Sequence, residues 1–129
     1  MTRVVASRAL MTERQKALSE KKEGFMESQV SDIAKLNDRF RGMCLDVFYT
    51  DGVRDGIGDL IGLSQKVESF NKFTEDNDPY GEHDFGSLVF EGQKVFWKID
   101  YYDRELKYWC DPLDKACRRV LTVMLAEEY

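Results

Sequence analysis

The residues best suited to chemistry lie in one short stretch, residues 76–86 (DNDPYGEHDFG). This stretch holds His83, the only histidine of the chain, together with four carboxylates. Carboxylates beside an imidazole favour its protonated form and can orient the ring, as in a general base or a metal ligand. No second histidine exists, and no nucleophile stands near His83 in the sequence. His83 is therefore the candidate catalytic residue, but a structural role, bracing the loop through hydrogen bonds, is the stronger prediction.

The acidic residues of this stretch begin like a calcium-binding loop, with Asp76, Asp78 and a glycine at the expected spacing. The similarity then ends, because a tyrosine stands at the fifth position and a serine at the twelfth, where a bidentate glutamate is needed. Asp100 and Asp103 are further oxygen ligands that a divalent cation could use. We predict no cofactor and assign no residue as a metal ligand, because a rigid turn explains the Asn, Asp, Pro and Gly residues better.

The loop leads into the most strand-like part of the chain, residues 88–110. Alternation along residues 95–102 places Phe96, Lys98, Asp100 and Tyr102 on one face of a strand. That mixed face is either a binding surface or the half-solvated face that is ordinary for an antiparallel sheet. Combined with the loop, it forms the predicted binding surface, made of Asp76, Asp78, Tyr80, Glu82, His83, Asp84, Lys98, Asp100, Tyr102 and Asp103.

Hydrophobic periodicity predicts the elements that position these residues. Apolar residues recur every three or four positions in residues 28–41 and 59–73, which predicts two amphipathic helices. Short strands are predicted at residues 45–50, 87–90, 95–102 and 105–110. Asp111-Pro112 is typical of a helix start, so a last helix is predicted over residues 111–128, with Cys117 on its buried face and Cys110 also in the core.

These elements predict an α+β fold: an antiparallel β-meander of about four strands packed against helices, in the order α-α-β-α-β-β-β-α. Residues 1–27 are rich in helix formers but poor in apolar residues, which predicts a helical arm capable of contacting a second copy of the chain. Residues 28–129 are predicted to form a single domain, as a chain of 129 residues with 43% hydrophobic residues allows.

Charge and cysteine content narrow the classes of partner. Residues 1–42 carry a net charge of +3 and residues 43–129 a net charge of −8, so direct nucleic-acid binding by the acidic part is disfavoured. Three cysteines without C-x-x-C spacing predict reduced thiols and a cytoplasmic location rather than a disulfide framework. No apolar run reaches the length of a membrane span, and we predict no membrane association.

Three blocks, DPYGEHDFG (residues 78–86), VFWKIDYYDRELKYW (95–109) and RRVLTVMLAEEY (118–129), resemble a bacterial family catalogued as domain of unknown function 3768. Residues 33–41 resemble its opening helix, so the similarity covers residues 30–129. It departs in residues 53–62, where a glycine-rich stretch replaces an ordinary connection. The resemblance implies a small stand-alone bacterial protein of plasmids or other mobile elements, and it implies no activity.

Three functions stay open. The preferred one is a non-enzymatic interaction protein whose partner has a basic surface. In the setting that the resemblance implies, it would inhibit a host defence nuclease or surveillance complex by phosphate mimicry. The second is a small metal-assisted or acid–base enzyme centred on His83, with Glu82, Asp84 and Asp100 as ligands or partners. The third is a plasmid accessory or regulatory protein whose residues 1–27 contact DNA or a second copy.

Overall fold

The computed structural model describes residues 30–43 and 46–129. Its elements are helix α1 (Asp32–Met43), strand β1 (Val47–Tyr49), helices α2 (Asp51–Gly56) and α3 (Leu60–Glu68), strands β2 (Phe85–Phe90), β3 (Gln93–Tyr102) and β4 (Arg118–Leu125), and a 3₁₀ turn at Ala126–Glu128. The predicted α+β class is confirmed. The predicted arm, residues 1–27, and the dimer contact assigned to it lie outside the described residues.

The four strands form one sheet in the order β1-β4-β3-β2. Strand β3 pairs antiparallel with β2 on one side and with β4 on the other, the β4 register running from Val95↔Leu125 to Tyr102↔Arg118. Strand β1 pairs parallel with β4. The sheet is therefore mixed, whereas a purely antiparallel meander was predicted.

The last helix, predicted over residues 111–128, is wrong, because residues 118–125 form strand β4 and residues 111–117 form turns. All residues from Val120 to Leu125 are buried, so both faces of the strand lie inside the protein. A strand buried on both faces is a continuous apolar run, which periodicity cannot separate from a buried helix. Branched residues such as Val120, Thr122 and Val123 pack well on a sheet, and the packing decides.

The apparent helix start before β4 is a pair of side-chain turns. The Asp111 carboxylate accepts a hydrogen bond from the Leu113 amide at 2.9 Å, and Asp114 accepts one from the Ala116 amide at 2.8 Å. Aspartate closes such turns as readily as it caps a helix. The strand predicted over residues 105–110 is also wrong, since it is reduced to a single bridge between Tyr102 and Trp109.

The helices cover one face of the sheet. Val95, Trp97, Ile99 and Tyr101 of β3 point towards them, as the predicted alternation required, and pack with residues of the helices and of β4. The residues of this core outside β3 are Ile33, Val53, Ile57, Leu63, Val67, Leu121, Val123 and Leu125. Along the described ranges, no helix is long and apolar enough to cross a membrane.

Candidate functional site

The acidic loop between α3 and β2 is folded inward. Asp78, Glu82 and Asp84 are 6%, 1% and 2% exposed, whereas Asp76 is exposed. The predicted accessible acidic surface on this loop is therefore wrong. A buried carboxylate is costly unless hydrogen bonds satisfy it, so the partners of these three groups define the site.

Asp78 organises the loop through its backbone amides. Its Oδ1 accepts hydrogen bonds from the amides of Glu82 at 3.0 Å and His83 at 3.2 Å. The chain turns there with Gly81 and His83 both in the left-handed region, at φ of 64° and 56°. Glycine adopts that conformation freely, but for histidine it costs on the order of 1–2 kcal/mol. Contacts of the His83 ring must offset this cost.

The His83 ring lies between two carboxylates. Its Nδ1 is 2.9 Å from Oδ1 of Asp38, and its Nε2 is 3.7 Å from Oδ2 of Asp78. The ring also stacks on Phe73, with the centroids 3.8 Å apart and the planes within 5°. Its side chain is 17% exposed. The predicted partners, Glu82 and Asp84, were wrong, because their side chains turn to Tyr101 instead.

The Asp38 carboxylate, which contacts His83, also binds the buried guanidinium of Arg41. Arg41 donates from Nη2 to Oδ1 of Asp38 at 3.1 Å and to the Phe70 carbonyl oxygen at 2.9 Å. Its guanidinium carbon lies 4.8 Å from the Trp97 ring centroid and 5.4 Å from that of Phe73. The Asp38 carboxylate thus lies between the His83 ring and the Arg41 guanidinium. The aromatic rings cover the guanidinium, which is 4% exposed, whereas the Asp38 side chain is 39% exposed.

A second group of polar residues holds the other two loop carboxylates. The Tyr101 hydroxyl donates towards Oε1 of Glu82 at 3.1 Å and lies 3.4 Å from Oδ2 of Asp84. Asn37 donates from Nδ2 to this hydroxyl and to the Glu82 carbonyl oxygen, both at 2.9 Å. Burial, followed by the negative charges of Asp84 and Glu82, raises the pKa of Tyr101 well above its usual value. The hydroxyl therefore stays protonated and acts as a donor.

Arg119 of β4 completes this second group of polar residues. It donates from Nε to Oδ1 of Asn37 at 2.6 Å and from Nη2 to the Pro112 carbonyl oxygen at 2.8 Å. Its guanidinium also lies over the Tyr101 ring, 5.4 Å from the centroid. We call the set Asn37, Asp38, Arg41, Asp78, Glu82, His83, Asp84, Tyr101 and Arg119 the internal polar network.

Sequence reasoning missed the helix members of this network. Ile33, Ala34, Asn37 and Arg41 are the buried residues of α1. Val30 and Met43, apolar residues at the same helical spacing as Ile33, are exposed instead. Asn37 lies four positions after the apolar Ile33. Because positions i and i+4 share a helix face, this spacing could have indicated that Asn37 points inward.

The predicted binding surface is split between the two faces of the sheet. Lys98 and Asp100 form an ion pair of 3.1 Å, buried on the face opposite Tyr101. Tyr102 is buried on that same face against Val120 and Trp109. Successive residues of a strand point to opposite faces, so these side chains cannot join the loop in one surface.

The last two predicted residues have separate surroundings. Asp103 closes a turn by accepting a hydrogen bond from the Lys107 amide at 2.9 Å, and Tyr80 is half-buried. In the part of the chain that the structure describes, no group of three or more histidine, cysteine or acidic side chains is placed to hold a metal ion.

His83 ties the acidic loop to α1. Both nitrogens of His83 face carboxylates, and among the contacts of the described residues no serine, threonine or cysteine side chain reaches the ring. A nucleophile paired with a base is the geometric sign of covalent catalysis. The network joins α1, the loop, β3 and β4, which is what a structural clamp does.

The sequence profile of a family described as "Protein of unknown function (DUF3768)" matches residues 49–128. The chain belongs to this family. The suspected resemblance is thereby confirmed, although the matched range starts after α1 and so excludes Asn37, Asp38 and Arg41. No curated protein matches the chain. No solved structure matches it either.

Proposed function

We propose that this member of the family acts by binding a partner protein with a basic surface and performs no catalysis. The acidic loop supports this view in an indirect way, because its carboxylates and its histidine serve the internal polar network. Of the four carboxylates in residues 76–86 only Asp76 is exposed, and the other exposed acidic groups of the described residues lie elsewhere. Several of them surround α2, and this is the observation that carries the proposal.

Two glutamates attach the segment around α2 to the rest of the protein. Glu91, in the β2–β3 turn, accepts hydrogen bonds from the amides of Gly58 at 2.8 Å and Asp59 at 2.9 Å. Glu128, after β4, accepts from the Thr50 hydroxyl at 2.6 Å and from the Gly52 amide at 3.0 Å. These contacts attach both ends of α2 to the sheet. They define the α2 surface, whose exposed acidic residues are Asp51, Asp55, Asp59, Glu91, Glu127 and Glu128.

An exposed apolar side chain lies beside this surface. Ile61 of α3 is 74% exposed and follows Asp59 by two positions. Val89 of β2 is 71% exposed, but it points to the sheet face opposite the helices, because its neighbours Leu88 and Phe90 pack against the core on the helix side. Apolar residues beside a charged rim are typical of protein–protein interfaces, whereas solvated faces need no large apolar side chains.

The expected partner carries lysine or arginine around an apolar contact. Carboxylates on a rigid frame can take the place of nucleic-acid phosphates, so an inhibitor of a nucleic-acid-binding protein is the specific form that we favour. Electrostatic steering would speed its association. Such binding weakens as salt is added, because exposed charges are screened within about 8 Å at physiological ionic strength.

The test is a pull-down from a bacterial lysate at low and high ionic strength with charge-reversal variants. We expect a basic partner to be captured at low salt by the original chain and lost with the double variant Asp55→Lys, Glu127→Lys. Asp76→Lys is the matched control, because Asp76 is an equally exposed carboxylate of the acidic loop. Equal loss with Asp76→Lys, or capture that does not depend on salt, contradicts the role of the α2 surface.

An acid–base or metal-assisted enzyme centred on His83 is the second candidate, because Asp38 and Asp78 do converge on the ring. It predicts thermal stabilisation by Mg²⁺, Mn²⁺ or Zn²⁺ that His83→Ala removes. An unchanged melting temperature with all three cations would exclude the metal-assisted form. The accessory or regulatory role assigned to residues 1–27 lies outside the described residues.

A further inference from the structure

Strand β2 forms an open edge of the sheet. The strand order β1-β4-β3-β2 gives β2 a neighbouring strand on one side only. The opposite edge, β1, is three residues long, whereas β2 spans the six residues Phe85–Phe90. The register of β2 with β3 runs from Phe85↔Lys98 to Phe90↔Gln93 without a bulge. A regular edge strand of this length is a template on which another strand can pair.

The pairing of β2 with β3 determines which backbone groups stay open. The Ile99 amide donates to the Asp84 carbonyl oxygen at 2.8 Å, just before β2 begins. Along an antiparallel pair, residues bonded to the partner strand alternate with residues whose amide and carbonyl point away from it. The amides and carbonyls of Phe85, Ser87 and Val89 therefore point away from β3. In the described part of the chain, no group forms a hydrogen bond with them.

The sequence of β2 lacks the usual protection of an edge strand. Natural edges carry lysine, proline or a bulge, each of which opposes pairing with another chain. Strand β2 (FGSLVF) has no charged residue and no proline, although 33% of the chain is charged. Val89 exposes 71% of its surface on the sheet face opposite the helices. A single contact along this edge would bury Val89 and pair the open backbone groups together.

We propose that β2 is a homodimer interface, in which it pairs antiparallel with the same strand of a second copy of the chain. A two-fold axis at Ser87 places this residue opposite Ser87 of the partner subunit. Phe85 then lies opposite Val89 of the partner subunit, and the reverse pair forms at the other end. These are the residues with open amides and carbonyls, so each pair exchanges two hydrogen bonds. The two four-stranded sheets become one continuous sheet.

The side chains of β2 match a second copy of the same strand. Phe85 opposite Val89 of the partner subunit is an aromatic–β-branched pair, a combination that stabilises neighbouring strands. The Phe85 ring is already held in place by Phe96 and Tyr129, whose ring centroids lie 5.1 and 5.8 Å away. Since β2 contains no charged residue, the register opposes no like charges. The strand is therefore complementary to itself in both backbone and side chains.

This interface is separate from the α2 surface and depends on different chemistry. Its contacts are backbone hydrogen bonds and apolar side chains, so salt should not weaken it. Added salt screens the repulsion between two copies that each carry a net charge of −5. Binding of a basic partner to the α2 surface should weaken with salt instead. The response to ionic strength thus distinguishes the two proposals, and one can fail without the other.

The first test measures the mass of the full chain by sedimentation velocity from low micromolar to near-millimolar concentration. We expect the mass to rise with concentration from 15.0 kDa towards twice that value. Val89→Lys and Ser87→Pro should each keep the monomer mass at the highest concentration. Lysine opposes pairing at an edge, and proline at position 87 removes an outward amide without removing a bond to β3. Ile61→Lys is the control and should still dimerise, because Ile61 is 74% exposed but lies on α3.

The second test uses a cross-link to check the register. In a hydrogen-bonded antiparallel pair the Cα atoms lie about 5.5 Å apart, which a disulfide can span. Ser87→Cys should therefore form a disulfide-linked dimer with an added oxidant. Its tryptic peptide, residues 73–94, contains no natural cysteine and should be found joined to a second copy of itself. Ser69→Cys, at an exposed serine after α3, should not form this link.

Three results would overturn the proposal. The first is a chain that stays monomeric at every concentration. The second is a dimer that Val89→Lys leaves unchanged, and this variant decides the matter if circular dichroism shows that Ser87→Pro does not fold. The third is a cross-link that forms equally well with Ser69→Cys, because it would show that the contact does not require the β2 edge.

Discussion

The Nδ1 atom of His83 lies 2.9 Å from Oδ1 of Asp38, joining the acidic loop to a helix 45 residues earlier in the chain. Phe73 covers one side of the imidazole at 3.8 Å. The contact thus fixes both the loop and the end of α1 that carries Arg41. The left-handed backbone of His83 is retained because this contact stabilises it.

The first prediction concerns this pair. His83→Ala and Asp38→Ala should each lower the free energy of unfolding by about 1–2 kcal/mol, because each leaves a partly buried polar partner. Their combined effect should be smaller than the sum by about 0.5–1.5 kcal/mol, since the same contact is removed in both. Urea unfolding of the original chain, the two single variants and the double variant measures this coupling. Arg39→Ala on the exposed side of α1 is the control, and strictly additive effects of His83 and Asp38 would show that the contact contributes nothing.

The second prediction compares two aspartates of the same loop. Asp78 is buried and accepts hydrogen bonds from two backbone amides, whereas Asp76 is exposed. Asp78→Ala should lower the free energy of unfolding by about 2–4 kcal/mol, because buried amides lose a charged acceptor. Asp76→Ala should change it by less than about 0.5 kcal/mol.

The same pair of variants separates a structural loop from a binding loop. Hydrogen exchange should rise at the amides of Glu82 and His83 in Asp78→Ala alone. If the two variants have equal stability, the loop is not held by Asp78. A partner that is lost with Asp76→Ala would restore the acidic loop as a contact surface.

The parts of the fold that the sequence predicted correctly have a clear hydrophobic period or a clear turn signal. Helices α1 and α3 have apolar residues at helical spacing, and β2 and β3 are joined by a glycine-containing hairpin. Strand β4 escaped prediction because both its faces are buried and its preceding aspartates imitate a helix cap. Which strand pairs with β1 depends on long-range packing, so the parallel pair was beyond local reasoning.

The candidate site was predictable only in its local part. The turn chemistry of Pro79 and Gly81 identified a rigid loop, and Gly81 indeed has a positive φ. The direction of the carboxylates was not predictable, because it depends on Asn37 and Tyr101, which come from other elements. Such partners lie far apart in the sequence, and the sequence alone does not distinguish a buried carboxylate from an exposed one.

The third prediction uses a close approach of the backbone to an indole ring. Gly86 in β2 pairs with Trp97 in β3, and a methyl group on Gly86 would overlap the Trp97 ring. That ring is fully buried against Phe70 and Phe73, so it cannot move aside freely. Gly86→Ala should lower the free energy of unfolding by about 1–3 kcal/mol.

The control for this substitution is Gly42→Ala in α1. Outside the adjacent helical turn, no atom of the described residues lies within 4 Å of the added methyl group. That variant should be neutral or more stable by up to about 1 kcal/mol, because alanine favours a helix over glycine. Thermal or urea unfolding measures the stability of both variants. A Gly86→Ala protein as stable as the original would mean that Trp97 is not held in the observed position.

The fourth prediction concerns pH and Glu128, which attaches the end of the chain to α2. Burial of its carboxylate acts to raise the pKa of Glu128. Hydrogen bonds from Thr50 and from the amides of Leu125 and Gly52 prevail and lower this pKa below its usual value. A carboxyl whose pKa is lower in the folded state binds its proton more readily when unfolded. Its stabilising effect is therefore complete above the unfolded pKa, about 4.3, and is lost as the pH falls through the folded pKa.

The measurement is urea unfolding of Glu128→Gln and of the original chain between pH 3 and 7. The variant should be less stable by a constant amount above about pH 5.5, and the difference should shrink as the pH falls below about 4. Glu127→Gln is the matched control, since Glu127 is an exposed neighbour with the same chemistry. A difference that grows on acidification would mean that Glu128 is protonated more easily in the folded protein, which the three donors around its carboxylate argue against.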